Sequence, residues 1–390
     1  MKQIHTDVVI IGSGLVGLVA AHCLASLDFK VAVVDKKNFH NSKNMTKDIR
    51  TVAVSEGSKQ FLENLSLWKD LNKYSEPIKN IKVFNRRPSN KIYFENSNKN
   101  QLLGYVIKNT IFSKILRNKL SKNKKVKTYF NSEVKNILPS YDFSKVYLKD
   151  KVINAKLTIA ADGKNSTVRN IIGTKIYKKK YPEMALVLNL FHEKSLNGTA
   201  YEIFNKTGPF ALLPMLSKNN FYQSSIIWSN NESFVKNLLC SDNKFIANII
   251  EEKVGEIIGK VKRINSKQFF PLSAHINEKF FNKRLIYIGD SAHSIHPIAG
   301  QGWNLGIKDV KHVMNLCKTS ELDIGDENFC KNYNSLSYKD SFQLLQITDK
   351  LNAHFINNNF SNKMLSNIGF QIIENNISIK DRITKFAMGV

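Results

Sequence analysis

The sequence predicts an α/β protein, and three stretches carry the expectation. Val8 to Ile11 is a short apolar strand, followed by Gly12-Ser13-Gly14-Leu15-Val16-Gly17, a helix-like run from Leu18 to Leu27, and a second strand, Val31 to Val34, ending at Asp35. Far along the chain, the strand-like Leu285 to Ile288 leads into a glycine-rich loop and a helix-like run from Asn304 to Leu316. Between them lie short strand-like runs: Met184 to Phe191, Tyr201 to Phe204, Phe210 to Met215 and Phe221 to Trp228.

The first stretch is G-x-G-x-x-G set between a strand and a helix, with an acid 18 residues after Gly17. In that frame a pyrophosphate rests on the helix N-terminus and a ribose hydroxyl donates to the Asp35 carboxylate. Gly12, Ser13, Gly14, Leu15, Gly17, Asp35 and Lys36 are the candidate contacts to such a dinucleotide. The competing reading is a tight strand–helix turn with no ligand.

The late loop reads GDSAHSIHPIAGQGWNLGIKDV over residues 289–310. Its glycines let the backbone approach a flat ligand closely. Backbone N–H groups at the start of the following helix favour negative charge, and Asp290 at a strand end can accept hydrogen bonds from ligand hydroxyls. The loop suits a ligand with a polyol, a phosphate and a ring that becomes anionic, which describes reduced flavin. Midway along the chain, strand-like Lys156 to Ala160 leads into Ala161-Asp162-Gly163-Lys164-Asn165-Ser166-Thr167-Val168-Arg169. Alone, Asp162-Gly163 reads as a turn.

Taken in order, GxGxxG, DGxxSxVR and GDxAHxxHPxAGQGxNxGxxD resemble the flavin-dependent aromatic hydroxylases (class A monooxygenases) of the para-hydroxybenzoate hydroxylase fold. The run from His296 to Asp309 resembles their ubiquinone-biosynthesis branch. Asp48-Ile49-Arg50-Thr51-Val52-Ala53-Val54 and Gly104-Tyr105-Val106-Ile107-Lys108-Asn109 resemble two further segments of that branch, with Val54 for a leucine and Lys108 for an acid. Trp303 stands where a leucine or methionine is usual. The resemblance runs from about residue 4 to 315 and leaves the last 75 residues unmatched.

The resemblance implies a Rossmann-like FAD-binding domain interleaved with an antiparallel-sheet substrate domain and a C-terminal helical region. The expected FAD-binding segments are 1–76, 100–180 and 268–318; the substrate segments are 77–99 and 181–267; the helical region is 319–390. It implies FAD as cofactor and NAD(P)H as co-substrate, with O2 supplying the oxygen that hydroxylates an electron-rich phenol carrying a prenyl tail. By matching, Gly12, Gly14, Gly17 and Asp35 hold the AMP half, and Arg50 and Asn109 lie along the pyrophosphate and ribityl chain. Asp162 and Gly289 flank the cofactor, and Asp290 takes the ribityl hydroxyls. Pro297, Gly300, Gln301, Gly302 and Asn304 line the isoalloxazine. Phe210, Leu213 and Pro214 fall on the strand that faces substrate. No residue displays itself as a catalytic base.

Composition narrows the classes. The net charge is +26, from 58 Lys and Arg against 32 Asp and Glu. The lysines are scattered, without the concentrated patch or aromatic interleaving of a nucleic-acid binder, so no nucleic-acid partner is expected. Attraction to anionic lipid remains open, beside a plain bias toward surface lysine. No apolar run is long enough to span a membrane, and strand one at the N-terminus leaves no room for a signal peptide. Cys23, Cys240, Cys317 and Cys330 have no CxxC spacing, which suits a reducing compartment. The expected location is cytoplasmic, peripheral to the inner membrane, with a quinone-biosynthesis complex as partner.

His293 and His296 are spaced like zinc ligands, but nothing nearby completes a metal site, so no metal is expected. Ser291 beside Asp290 and His293 lacks the nucleophile-elbow pattern of a hydrolase. Residues 78–94 alternate as a hairpin, and 232–262 and 327–382 look helical. Phe355, Phe360, Met364, Leu365, Ile368 and Phe370 make an apolar stripe that reads as a domain cap. Two other functions stay open: a flavoenzyme of the same fold acting on small soluble aromatics, and a flavin-free accessory subunit. The intact glycines and Asp290 argue against the second.

Overall fold

The computed structural model describes residues 1–38, 48–85, 87–95, 101–218, 221–319, 323–356 and 369–390. One eight-stranded sheet has a parallel core in the order Leu285–Tyr287, Lys151–Ala160, Lys2–Ile11, Val31–Val34 and Val126–Tyr129. Val8, Val9, Ile10 and Val31 to Val34 are buried throughout, without polar alternation. That is the pattern of parallel strands covered on both faces. The helix Leu15–Ser26 joins the first two strands and buries residues from Gly17 to Ala25 around much of its circumference.

The second eight-stranded sheet runs His293–Ser294, Val261–Asn277, Ile176–His192, Phe221–Asn231, Gly208–Lys218, Thr199–Asn205, Asn80–Asn85 and Arg87–Glu95. All neighbours are antiparallel except Thr199–Asn205 with Asn80–Asn85. Its back face packs under the helices Glu232–Cys240 and Asn243–Ile258 through Leu186, Leu188, Phe210, Leu212, Ile226, Trp228, Ile246 and Ile250. Its front face joins two smaller apolar clusters that also draw on the three-stranded sheet of Thr51–Ser55, Gly104–Lys108 and Ser75–Ile78 and on the C-terminal helices.

The expected hairpin and substrate-sheet strands form, and the α/β class holds. The helical run over 232–262 forms as two helices, Glu232–Cys240 and Asn243–Ile258. Asp242 accepts from Phe245 N–H at 2.7 Å to start the second, Gly259 ends it at a φ of +70°, and Val261 begins a long strand. The C-terminal region has helices at Glu327–Ile356, over 369–375, and at Ile377–Met388. Of the apolar stripe, Phe360, Met364, Leu365 and Ile368 lie outside the described residues. Phe355 stacks on Phe204 of the sheet at 3.8 Å between ring centres and meets Phe370 edge-on.

Candidate active site

Three motifs far apart in sequence meet at the carboxyl ends of adjacent parallel strands. Ile11 pairs with Ala160, and Ala160 with Tyr287, so the turns that follow each strand sit side by side. Crevices at this end of an open parallel sheet are where ligands bind in such folds.

Gly12 takes a φ of +106°, and a Cβ there would stand 2.3 Å from the Ala161 carbonyl oxygen. Only glycine fits where the first and second motifs touch. A Cβ on Gly17 would meet the Gly12 oxygen at 2.2 Å, so this glycine brings the helix onto the turn. Gly14 differs: it is exposed, with nothing within 4 Å of a Cβ position. It also caps the helix without a side chain, and the first turn carries no acid. The result is an open, uncapped helix N-terminus suited to a pyrophosphate.

Asp35 already receives Ser13 N–H and Ser13 Oγ–H on Oδ2, at 2.7 and 2.6 Å, and Lys37 N–H on Oδ1 at 2.8 Å. A carboxylate has about four lone-pair positions, so capacity for a ribose hydroxyl remains. Lys36 is exposed beside it, and Leu15 packs partly into the main core.

Asp290 lies open to the cleft, yet protein surrounds it closely enough that desolvation pushes its carboxyl above the usual range; His293, Arg50 and Lys164 oppose that rise. Arg50 is held by Asp48 through a 2.7 Å ion pair, which raises the guanidinium further, and its charge sits 5.2 Å from the Phe270 ring centre. Asn109 donates its backbone N–H to the Arg50 carbonyl at 3.1 Å, while its side-chain oxygen is buried without a partner among the described residues. Asp162 accepts Val168 N–H at 3.0 Å on one oxygen, and among the described residues the other is buried with no hydrogen bond of good geometry. Burial raises its carboxyl too.

The loop after Asp290 is fixed by Asp309, His293, Ser291 and Arg169, named in their motifs without this role. Asp309, 1% exposed, accepts Gly289 N–H at 2.8 Å and bonds His293 Nε2 at 2.7 Å. Ser291 Oγ lies 2.6 Å from the Ala160 carbonyl oxygen, and Arg169 Nη1 donates to the Ser291 carbonyl at 3.2 Å. Gly300 has a φ of +60° with Ala53 3.5 Å from its would-be Cβ, and nothing comes nearer than 4.0 Å at Gly302. Pro297 and Gly300 frame a short 3-10 turn. Asn304 donates to the Ala53 carbonyl at 2.9 Å and accepts Ser55 N–H at 3.0 Å. Its amide thus clamps the helix start to a strand. Gln301 donates to the Ala387 carbonyl at 3.2 Å. Trp303 turns into the main core against Phe112, 5.4 Å between ring centres.

Of the expected substrate residues, Leu213 lies on the front face with Ala53, Ala200 and Met215. Phe210 does not join it: strand alternation sends it to the back face, fully buried and edge-on to Trp228. Pro214 pairs with Ser224, next but one to the back-face pair of Leu212 and Ile226, so it follows Phe210 and not Leu213.

The open glycine turn, the uncapped helix, the accessible Asp290 and the orphaned polar atoms of Asn109 and Asp162 fit a flavin dinucleotide. The family described as FAD binding domain matches residues 5–321. The ubiquinone hydroxylase UbiL of Rhodospirillum rubrum is 28% identical, over 98% of this chain and 89% of that protein. The 3-demethoxyubiquinol 3-hydroxylase of Escherichia coli is 26% identical with full coverage of both chains. The crystal structure of p-nitrophenol 4-monooxygenase PnpA from Pseudomonas putida superposes with a TM-score of 0.80 at 18% identity, covering 100% of this chain and 98% of that one. The chain belongs to the FAD-binding domain family and is an FAD-dependent monooxygenase.

Proposed function

We propose that this protein hydroxylates the ring of a prenylated phenol in ubiquinone biosynthesis. The observation that carries the reading is the apolar front face of the substrate sheet. Ile81, Phe94, Ala200, Leu213 and Met215 form one patch, and Val83, Ile92 and Phe204 form another with Phe355 and Phe370. Ile298 of the glycine-rich loop belongs to the second patch and Ala53, beside Gly300, to the first. Its partly buried members, Ile81, Val83, Phe94 and Leu213, are where an oily tail would gain burial, each methylene being worth about 0.8 kcal/mol. The names of the ubiquinone hydroxylases similar to this chain support the same substrate class.

Bound FAD, reduced by NAD(P)H, supplies the activation of O2. The chain's own part is to bind, orient and dry the site. In this reading Gly14 and the helix behind it receive the pyrophosphate, and Asp35 receives the ribose. Arg50 and Asp290 face the ribityl chain. Pro297, Gly300 and Gly302 offer backbone to the ring, while Asn304 and Gln301 brace that loop from behind.

A tail-less phenol should be a poor substrate. Geranylphenol is expected to stimulate NAD(P)H oxidation with kcat/KM at least tenfold above para-hydroxybenzoate, because the tail's burial is differential binding energy. Equal or reversed preference would favour a hydroxylase of small soluble aromatics.

We also propose reversible contact with an anionic membrane surface. No helix among the described residues is long and apolar enough to cross a membrane. The chain carries +26 charges, and its C-terminal helices expose Leu336, Phe342, Ile347, Ile377 and Phe386. Binding to phosphatidylglycerol-containing vesicles should fall steeply between low salt and 0.5 M, as screening shortens. Salt-insensitive binding, or none to anionic vesicles at low salt, would remove this proposal.

A further inference from the structure

The strand Thr199–Asn205 is an interior strand, flanked by Gly208–Lys218 and Asn80–Asn85. Tyr201 and Ile203 pack toward the back core. Alternation therefore puts Ala200, Glu202 and Phe204 on the front face. Ala200 belongs to the patch that includes Ala53, and Phe204 to the patch that includes Ile298. Glu202 sits between the two, on the wall that both patches close against the glycine-rich loop.

Its cross-strand partners are Ala211 and Val83, small and apolar. The wall continues through Ile92 and Phe94 of Arg87–Glu95, two strands away, and Ile298 of the loop with Phe355 and Phe370 of the C-terminal helices pack onto it. Among the described residues no donor or cation reaches the carboxyl, and its one perturbation is loss of water. An unpaired carboxyl in an apolar wall costs stability, and a sheet gains nothing structural from it. The residue as a whole is half-buried, not sealed into the core.

We propose that Glu202 accepts the phenolic hydroxyl of the substrate and takes its proton during hydroxylation. The inference rests on reading the chain as a phenol hydroxylase and names the base within it. The substrate O–H bond breaks and the proton moves to a Glu202 oxygen. The electron pair stays on the phenol oxygen and enriches the ortho and para carbons, one of which receives the new oxygen. The carboxylic acid returns the proton to the product. Burial pushes the Glu202 carboxyl up to about 8, close to the value of about 10 for an ordinary phenol, so transfer is far less uphill than to an exposed carboxylate.

The test uses the FAD-loaded full chain, its Glu202→Leu, Glu202→Gln and Glu202→Asp variants, and two probes, geranylphenol and its methyl ether. The probes are titrated against the flavin absorption spectrum, and turnover is followed against pH. Wild type should bind the phenol at least tenfold more tightly than the ether, and Glu202→Leu, which has no acceptor, should abolish that preference while keeping its FAD. Turnover in wild type should rise with pH through about 8, where the base becomes ionised. Glu202→Gln should lose roughly 100-fold or more without that rise, and Glu202→Asp should recover part of the loss. A Glu202→Leu variant with wild-type phenol preference, or a Glu202→Gln variant with wild-type turnover, overturns the inference. If wild type hydroxylates neither probe, the hydroxylase reading fails, and the binding preference still decides the role of Glu202.

Discussion

Gly12→Ala is expected to damage the fold itself, whereas Gly14→Val should leave the fold standing and empty the flavin site. At Gly12 two effects add. A φ of +106° is strained for any side chain, and the new methyl would overlap the Ala161 carbonyl, 2.3 Å away. Strained backbone costs about 1–3 kcal/mol and forced overpacking about 1–3 more, so the loss is roughly 2–6 kcal/mol out of a total of about 5–15. At Gly14 nothing lies within 4 Å. The valine meets only the space where the pyrophosphate would lie, and stability should change by no more than about 1–2 kcal/mol through the poorer helix cap. Urea unfolding and flavin content of the two variants separate the cases. A stable Gly12→Ala, or a Gly14→Val that keeps full FAD, would show that the glycines do not act in this way.

Asp309→Ala should be nearly as harmful, although Asp309 touches no ligand space. It lies in the core of the helix Gly302–Thr319 and holds both Gly289 N–H and His293. Alanine would leave both buried polar groups unpaired. Each costs about 1–3 kcal/mol, so the urea midpoint should fall by the equivalent of about 2–6 kcal/mol with an unchanged m-value. FAD affinity should fall with it, because Gly289 and His293 bracket Asp290. Asp309→Asn keeps one acceptor oxygen and should lose less. Equal midpoints for Asp309→Ala and wild type would mean that the loop is anchored elsewhere.

The cofactor end of the molecule was legible because its signals are local. Val8 to Ile11 and Val31 to Val34 are unbroken apolar runs, as buried parallel strands must be, and the glycine spacing lies within a few residues. Long-range roles were not legible. Asn304 reads as a ring-lining residue in its motif, yet its amide is bound to Ser55, 249 residues away. Asp309 appears in the same motif as one more acid; its buried bonds to Gly289 and His293 depend on how the helix folds back. On the substrate strand, the run from Phe210 to Met215 gives alternation without saying which face meets the flavin, so Phe210, Leu213 and Pro214 read alike although they divide between the two faces. Glu202 was hidden for a related reason. In Thr199-Ala200-Tyr201-Glu202-Ile203-Phe204 a lone acid reads as a solvent-side residue, but both faces of this strand are covered.

The most direct measurement of the central claim is the source of the new oxygen. Purified FAD-loaded protein is given NAD(P)H and geranylphenol under heavy-isotope O2, and the product is weighed by mass spectrometry. One heavy oxygen atom in each hydroxylated product is the expected result. A hydroxyl drawn from water, or NAD(P)H consumed with the phenol left unchanged, would contradict the account.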